Sequence, residues 1–474
     1  MSHRAILAAL VAIGAPLAAQ PIINNTRLVG SVPLSTTGWV AGNWGYRTAT
    51  SRFCLQTRSG QGLAIIDTTN PASPVLVSNV PGNVKEVKSY GNYAYASTDS
   101  GPSVIVNLTN PAAPTSTTIS QGTHTLEVDG DRLYFNRSIN TANGIIIYSL
   151  ANPASPQQIG LWSGYAHDSA PKGNICYAFG FVNPPGKILN VTNPGAIVQL
   201  GTFGSGNHHG DLYVSPSGQK FLFTCDEQTG GIVKVWNVTN PAATAQVGSY
   251  VTPGGTNLSV HNIRIKGVYG FVSWYKDGLR ILDLQNPAQP VEIGVYDTNP
   301  TNVGGTFSDC WDAYPYHDAI YCDQMTSTAG AASGAYFFDF YPGFGQGSPG
   351  TGGQVPTPWW SFGPPSPGNA DFALRLENAR PSSVAYLIVG FSKTLWLGQP
   401  LPYAVPGAPG VNLNVSLDAL IPVNVDAQGK ASFPFTPPQA LYGLKAYCQW
   451  LVLDPGAPNP LGIAVSKGGD LIFE

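Results

Sequence analysis

The sequence predicts an all-β protein, a seven-bladed β-propeller followed by a small C-terminal β-sandwich, and three observations carry that prediction. Gly 55 and Pro 41 together make about a fifth of the 474 residues, while charged residues are 10%, far below the ~25% of an average soluble domain. Such a composition starves helices and supplies turns. One phrase, an apolar strand followed by a polar residue and then Asn-Pro, returns with its Asn at 70, 110, 152, 193, 240 and 286, at spacings of 40, 42, 41, 47 and 46 residues. Between copies stand three more short strands, as in QVGSY (246–250), HNIRIKG (261–267) and YGFVSWY (269–275). Four short strands in each such period is the arithmetic of a propeller blade.

Taken in order, residues 1–20 (MSHRAILAALVAIGAPLAAQ) carry one Arg, an apolar run from Ala5 to Ala15 and small residues at Ala18 and Ala19. That is the pattern of a signal peptide cleaved between Ala18 and Pro21. It places the mature chain in a secreted, extracellular or periplasmic location, where its six Cys are free to pair. No later stretch approaches the ~20 apolar residues of a membrane span, and no Cys follows the apolar run to take a lipid. A net charge of -3 gives no broad basic surface, which argues against nucleic acid as a partner. Hydrophobic content of 43% with 11% aromatic supplies a core and excludes wholesale disorder.

Residues 27–341 hold the repeats: GLAIIDTTNPASP (62–74), SVIVNLTNPAAP (103–114), GIIIYSLANPASP (144–156), KILNVTNPG (187–195), IVKVWNVTNPAA (232–243) and GLRILDLQNPAQP (278–290). A degenerate seventh copy, GAYFFDFYP (334–342), keeps the strand and lacks the Asn. The phase leaves the strand at 28–32 without a blade of its own. It completes the seventh blade with strands from 310–340, so that the chain ends lock the ring and leave no open edge. Residues 342–368, rich in Gly, Pro and Ser, read as an irregular linker that Trp359 and Trp360 pin onto a neighbouring domain. Residues 369–474 show strands such as FALRLEN (372–378), VAYLIVGF (384–391) and KAYCQWLVLD (445–454), the pattern of a β-sandwich suited to adhesion or surface display.

The phrase resembles the LVIVD repeat. The segment 27–341 is similar to secreted bacterial proteins of the choice-of-anchor B family, through Asn43-Trp44-Gly45, His167-Asp168, His208-His209-Gly210, Phe221 to Glu227, His261-Asn262, Gly278 to Asp283 and Val295-Tyr296-Asp297 in order. The resemblance implies an exported propeller whose anchoring module varies between members, and it supplies no activity. Unlike that pattern, this sequence shows no recognisable membrane or lipid anchor.

Five His share one place in the repeat: His124 lies 14 residues after Asn110, His167 15 after Asn152, His208 and His209 15 and 16 after Asn193, and His261 21 after Asn240. Each stands at the start of an innermost strand, and those starts encircle one mouth of a propeller's channel. Asp168, Asp211, Asn262, Asp309 and Asp312 sit beside them, and Val84 to Glu86 is the equivalent place in the second repeat. Imidazole and carboxylate converging in one funnel suit a divalent transition metal such as Zn, Cu or Fe. The candidate ligands are His124, His167, His208, His209, His261, Asp168 and Asp312, with His167, His208 or His209, and His261 as the core set. The competing reading is a wet channel plugged by polar residues that bind only water. His317 falls in a hairpin turn and reads as exposed.

Cys310 and Cys322 flank a hairpin centred at 316, which sets them opposite each other as a disulfide candidate. Cys54, Cys176, Cys225 and Cys448 read as buried packing residues. Asp226-Glu227, after the strand FLFTC, offers an acid/base pair, although Asp99, Asp277 and Asp323 occupy comparable strand ends and favour a structural role. Two functions follow. One is a monomeric binding or cell-surface interaction module for an extracellular protein or glycan, with a His-lined metal site. The alternative is a metal-dependent secreted oxidoreductase or hydrolase working in the channel mouth. Metal sequestration is a third possibility.

Overall fold

A computed structural model describes residues 22–473 apart from 35–37, 138–143, 298–306, 318, 327–331, 362–364 and 371. The segment expected as a signal peptide lies outside the described residues. The described chain is all β, with three single-turn 3-10 helices, and no helix in it is long and apolar enough to cross a membrane.

Seven antiparallel sheets come first, numbered here one to seven by their first strands: Val40–Arg47, Val87–Tyr90, Thr125–Asp129, Asp168–Lys172, His209–Val214, Ile263–Lys266 and Ala313–Tyr316. Six have four strands, in sequential order in sheets one to five. Sheet six gains a fifth, unforeseen in the sequence, from Ile22–Asn24 pairing with Val291–Asp297. Sheet seven takes its outer strand from Thr26–Pro33, paired with Gly334–Phe340, which is the closure expected from the phase of the repeat. Each first strand touches the first strand of the next sheet, and the seventh touches the first. The first strands therefore line a closed ring around one axis, while fourth strands such as Thr115–Ile119 lie outermost and largely exposed.

The repeated phrase has a physical reading. The polar residue ending each third strand caps the turn behind it, as Asp67 Oδ1 accepts the Thr69 amide at 2.8 Å and Asn237 Oδ1 the Thr239 amide at 3.0 Å. The Asn closes the turn twice: Asn240 Oδ1 accepts from the Ala242 amide and its carbonyl from the Ala243 amide. The Pro carbonyl then meets the preceding sheet. A Cβ on Gly30, Gly160, Gly201 or Gly248 would overlap the carbonyl oxygen of Pro71, Pro194, Pro241 or Pro287 respectively. At the remaining two copies Ser78 donates to the Pro111 carbonyl at 2.6 Å and Tyr95 to that of Pro153 at 2.8 Å. Every Asn-Pro turn thus docks on the sheet before it, and Gly30 against Pro71 joins sheet seven to sheet one.

The segment expected as an irregular linker is built into the C-terminal part instead. Gly343–Phe344 pairs with Gly468–Ile472, Thr357–Ser361 pairs with Ala373–Glu377, and Ser348 exchanges hydrogen bonds with Val465. The cause is the pair of indoles. Trp360 packs on Tyr269, Phe340 and Phe372, and Trp359 lies under the Arg27 guanidinium at 4.2 Å, so both indoles are buried between the two halves of the chain. Beyond it, a six-stranded sheet and a three-stranded sheet share a core that includes Leu374, Leu387, Trp450 and Val452. Arg27 also pairs with Asp339 and Glu377, which ties sheet seven to this core.

Two substitutions test these contacts. Gly201→Ala is expected to cost roughly 1–3 kcal/mol by overpacking against Pro241, and Trp360→Ala roughly 3–5 kcal/mol by loss of a large buried side chain. Both are read from urea unfolding of the purified protein. An unchanged midpoint for Gly201→Ala would contradict the docking of the turn.

Candidate functional site

Because the first strands share a register, each delivers one residue to each level of the ring. Asn43, Thr125, Asp168 and His209 pair with Gln56, Asn136, Phe179 and Cys225 at equivalent points of their hairpins. Hydrogen bonds from Ser97 to Glu86 and from Ser273 to Asn262, and the pairing of Ala313 with Cys322, extend the level to Glu86, Asn262 and Asp312. The residue before each of these forms a second level: Gly42, Lys85, His124, His167, His208, His261 and Trp311. Neighbours in an extended chain point opposite ways. The second set, apart from Gly42, lines a cavity of about 290 Å³ at the mouth, closed by Glu227, Tyr275, Phe181 and Phe307. Of the first set Glu86 and Thr125 also touch this cavity, and Asn43, Asp168, His209, Asn262 and Asp312 stay buried outside it, at the waist.

At the mouth four imidazoles form a continuous arc across sheets three to six. Ring centroids stand 4.6 Å apart for His124 and His167, 4.5 Å for His167 and His208, and 4.6 Å for His208 and His261. Glu227 faces two of them, with Oε2 3.3 Å from His208 Nε2 and Oε1 3.8 Å from His261 Nε2. These ligand atoms lie within 4.8 Å of one another. Tyr275 donates its hydroxyl hydrogen to Glu227.

The protonation pattern follows from the partners. His208 Nδ1 faces the His261 carbonyl at 3.3 Å and His261 Nδ1 faces the Trp311 carbonyl at 2.6 Å. A carbonyl only accepts, so each Nδ1 carries the proton and each Nε2 lone pair is left for the cavity. Burial disfavours a second proton: it lowers His208 below its ordinary range and brings His261 to about 3, with neighbouring imidazoles adding to the effect. Burial alone would raise Glu227, but His208, His261 and the Tyr275 hydrogen bond outweigh it and hold the carboxyl below its usual range. Nε2 of His208, Nε2 of His261 and the Glu227 carboxyl therefore converge on one point of the cavity.

Of the sequence candidates, His208 and His261 meet in this group, and His124 and His167 extend the arc. His124 Nδ1 pairs with Asp99, which also pairs with Lys85 and is held down to about 2 despite its burial. His167 is buried, stacks on Phe181 at 4.8 Å, and its Nδ1 has no hydrogen-bond partner. His209, Asp168 and Asp312 belong to the waist. His209 Nδ1 accepts the Ile263 amide at 3.3 Å while its Nε2 stands 4.0 Å from Asp168. Burial raises Asp168 to about 7, Glu127 and Glu86 adding their charge. Asp211 sits at the opposite mouth, paired with Lys172 at 2.7 Å in a cavity of about 420 Å³ with Trp44, Arg264 and Tyr316. His317 occupies its hairpin turn, half-buried rather than exposed.

The structure corrects the register around the cysteines. Cys322 pairs with Ala313, not Cys310, because the hairpin turns between Tyr316 and Ala319. Cys310 instead bridges to Tyr275. The two sulfurs still approach to 2.7 Å. Cys310, Cys322 and Asp323 form a second group of metal-capable atoms, fully buried. The reading of Asp226-Glu227 also divides: Asp226 pairs with Lys234 at 2.9 Å, and Glu227 alone reaches the cavity. Tyr275 was not singled out in the sequence. Both residues follow second strands, and second strands of antiparallel hairpins end at the mouth where first strands begin, which is the signal that would have found them.

The LVIVD repeat family matches residues 58–80, 81–119 and 259–298. No curated protein matches the chain. Among solved structures the chain is similar to a Bacteroides fragilis protein provisionally described as a 6-phosphogluconolactonase, at 14% identity and TM-score 0.43, over 55% of this chain and 86% of that one. It is also similar to a functionally unknown protein from Desulfotomaculum acetoxidans, at 15% identity and TM-score 0.42, over 56% and 88%. Likenesses at that level carry no argument about the site. The LVIVD repeats and the many four-stranded sheets fit a β-propeller.

The depressed His261 sets a pH dependence for chelator-treated protein. Its folded value of about 3 lies below the ~6.5 of a free imidazole, so the unfolded chain takes up the proton first. The stabilisation is present above pH ~6.5 and is lost as pH falls toward ~3, on the order of 3 kcal/mol at pH 4. Urea unfolding from pH 7 to 4 is expected to show a shallower decline in His261→Ala than in wild type. Parallel declines would contradict a neutral, buried His261.

Proposed function

We propose that this chain is an exported seven-bladed β-propeller of the kind found in the choice-of-anchor B family, carrying a C-terminal β-sandwich. In this reading it is a monomeric binding module, directed at an extracellular protein or glycan, whose mouth takes a divalent transition metal. Export rests on the apolar N-terminal sequence. The metal rests on one observation: Nε2 of His208, Nε2 of His261 and the Glu227 carboxylate converge, each with its outer hydrogen bond already made, by the His261 carbonyl, the Trp311 carbonyl and the Tyr275 hydroxyl. Imidazole fixed by a carbonyl on its other nitrogen is how proteins prepare a ligand for Zn, Cu or Fe. Export also places Cys310 and Cys322 where contacting thiols pair oxidatively.

A metal-dependent enzyme is the second reading, favoured by the number of donors. Three protein ligands facing an open cavity leave a coordination position free, which is the pattern of catalytic rather than structural metals. A metal held there would polarise a bound oxygen. His124, oriented through Nδ1 by the ionised Asp99, lines the same cavity and is the candidate general base.

Elemental analysis of purified mature protein is expected to give near-stoichiometric Zn, Cu or Fe, lost in a folded His208→Ala/His261→Ala variant. Protein that takes up none of the three metals after incubation would overturn the metal site. Tyr275→Phe is expected to keep the fold and weaken metal affinity roughly 10–100-fold, measured by competition with a chromogenic chelator. Hydrolysis of activated esters by metal-loaded protein, abolished in His124→Gln, would decide for the enzyme reading.

A further inference from the structure

The waist carries a different chemistry from the mouth. Five buried oxygens there accept no hydrogen bond: Oδ1 of Asn43, Oε1 of Gln56, Oδ1 of Asn262, Oδ2 of Asp312 and Oδ2 of Asp323. Their residues are at most 3% exposed, and they are not scattered. Asn43 pairs with Gln56 in sheet one, Asp312 lies across from Asp323 in sheet seven, and Asn262 comes from sheet six at the same level. Asn43 Nδ2 reaches the Asp312 carbonyl at 3.4 Å and Asn262 Nδ2 reaches Asp312 Oδ1 at 3.5 Å, so the NH2 group of each amide faces Asp312 and the free oxygen is the other arm of the same amide.

The donors nearby are already engaged. Gln56 Nε2 donates to the Ala41 and Gly42 carbonyls, and Asp323 Oδ1 takes the amides of Trp311 and Asp312. Lys88 and Arg264, the buried cations of the channel, are held by Glu86 and Glu127. Among the described residues no basic side chain forms an ion pair with Asp312 or Asp323. A cluster of oxygen acceptors, the Asp312 carboxylate with side-chain amides, matches the ligand preference of hard cations, while the imidazole of this level, His209, stands against Asp168 on the sheet-four side.

We propose that the waist binds one hard cation of the Ca²⁺ or Na⁺ class at the seam of sheets six, seven and one, held by Asp312 with the amide oxygens of Asn43 and Asn262, and with Gln56 and Asp323 behind them. Its position gives it a role. Sheet seven is the sheet completed by the N-terminal strand, so a cation joining Asp312 to Asn43 and Asn262 clamps the ring where it closes. The site shares sheet six with the mouth, through Asn262 beside His261, but none of the mouth's ligand atoms.

Thermal melting and titration calorimetry on the full mature protein test this, after dialysis against chelator in a sodium-free choline buffer, with CaCl₂, NaCl, KCl and MgCl₂ added separately. Wild type is expected to show a saturable rise in Tm with one cation at one site per chain, at concentrations up to roughly 10 mM, the weak end for exported calcium modules. The His208→Ala/His261→Ala variant is expected to keep that response, which separates this site from the mouth. Asp312→Asn is expected to lose it. Should Asp312→Asn fail to fold, Asn262→Asp supplies the second arm: an added carboxylate oxygen is expected to tighten binding roughly 10-fold. A wild-type Tm insensitive to all four salts, or an Asn262→Asp affinity equal to wild type, would overturn the proposal and leave the oxygens to ordered water.

Discussion

The contact on which the structure depends is the docking of each Asn-Pro turn on the sheet before it. The Pro carbonyl settles against a residue with no side chain, or against a hydroxyl that donates to it, and that choice fixes how closely neighbouring sheets approach. Repeated at six turns, one of which joins sheet seven to sheet one, the contact makes the ring close. Glycine in a strand is ordinarily unfavourable. Here it is the condition for the next sheet to pack, and the bulges at Gly30, Gly160, Gly201 and Gly248 mark where it does so.

Closure in a common register is what turns sequence spacing into chemistry. Residues about 40 positions apart become lateral neighbours, and adjacent residues separate into two levels. At the mouth, each of two imidazoles gives its Nδ1 proton to a carbonyl of the following sheet, so the orientation of His208 depends on His261 and that of His261 on Trp311. Neighbouring sheets thus fix the orientation of one another's imidazoles. One residue further along, the same strands present amide, hydroxyl and carboxylate oxygens with His209 as the exception, and the donor set changes from nitrogen-rich to oxygen-rich within a single step of the chain.

Much of this was legible in the sequence because it is periodic. The Asn-Pro phrase gave the repeat, and the offsets of His124, His167, His208 and His261 from it placed four imidazoles on one rim, where they stand. Periodicity does not say which way a side chain points. His208 and His209 cannot both face the mouth, and alternation along the strand sends His209, like Asp168 and Asp312, to the waist. Glu227 is offered by the sequence only as half of an acid/base pair with Asp226, and Tyr275 escapes it altogether, because both lie on loops after second strands, where the repeat is weakest. The strand at Trp359 and Trp360 escaped for the opposite reason: local composition favoured an irregular linker, and burial of two indoles against Tyr269, Phe340 and Arg27 overrode it. The cysteine register missed because the turn of the last hairpin falls between Tyr316 and Ala319.

The central claim is that the register of the ring assembles a ligand set no local motif contains. The measurement that tests it most directly is anomalous diffraction from crystals of the mature protein, recorded on both sides of the zinc absorption edge after zinc soaking. The account expects one strong peak in contact with Nε2 of His208, Nε2 of His261 and the Glu227 carboxylate, at the ~2.0–2.2 Å of zinc ligands. A mouth that stays free of zinc, with those Nε2 atoms bonded only to water or to a protonated Glu227, would contradict it.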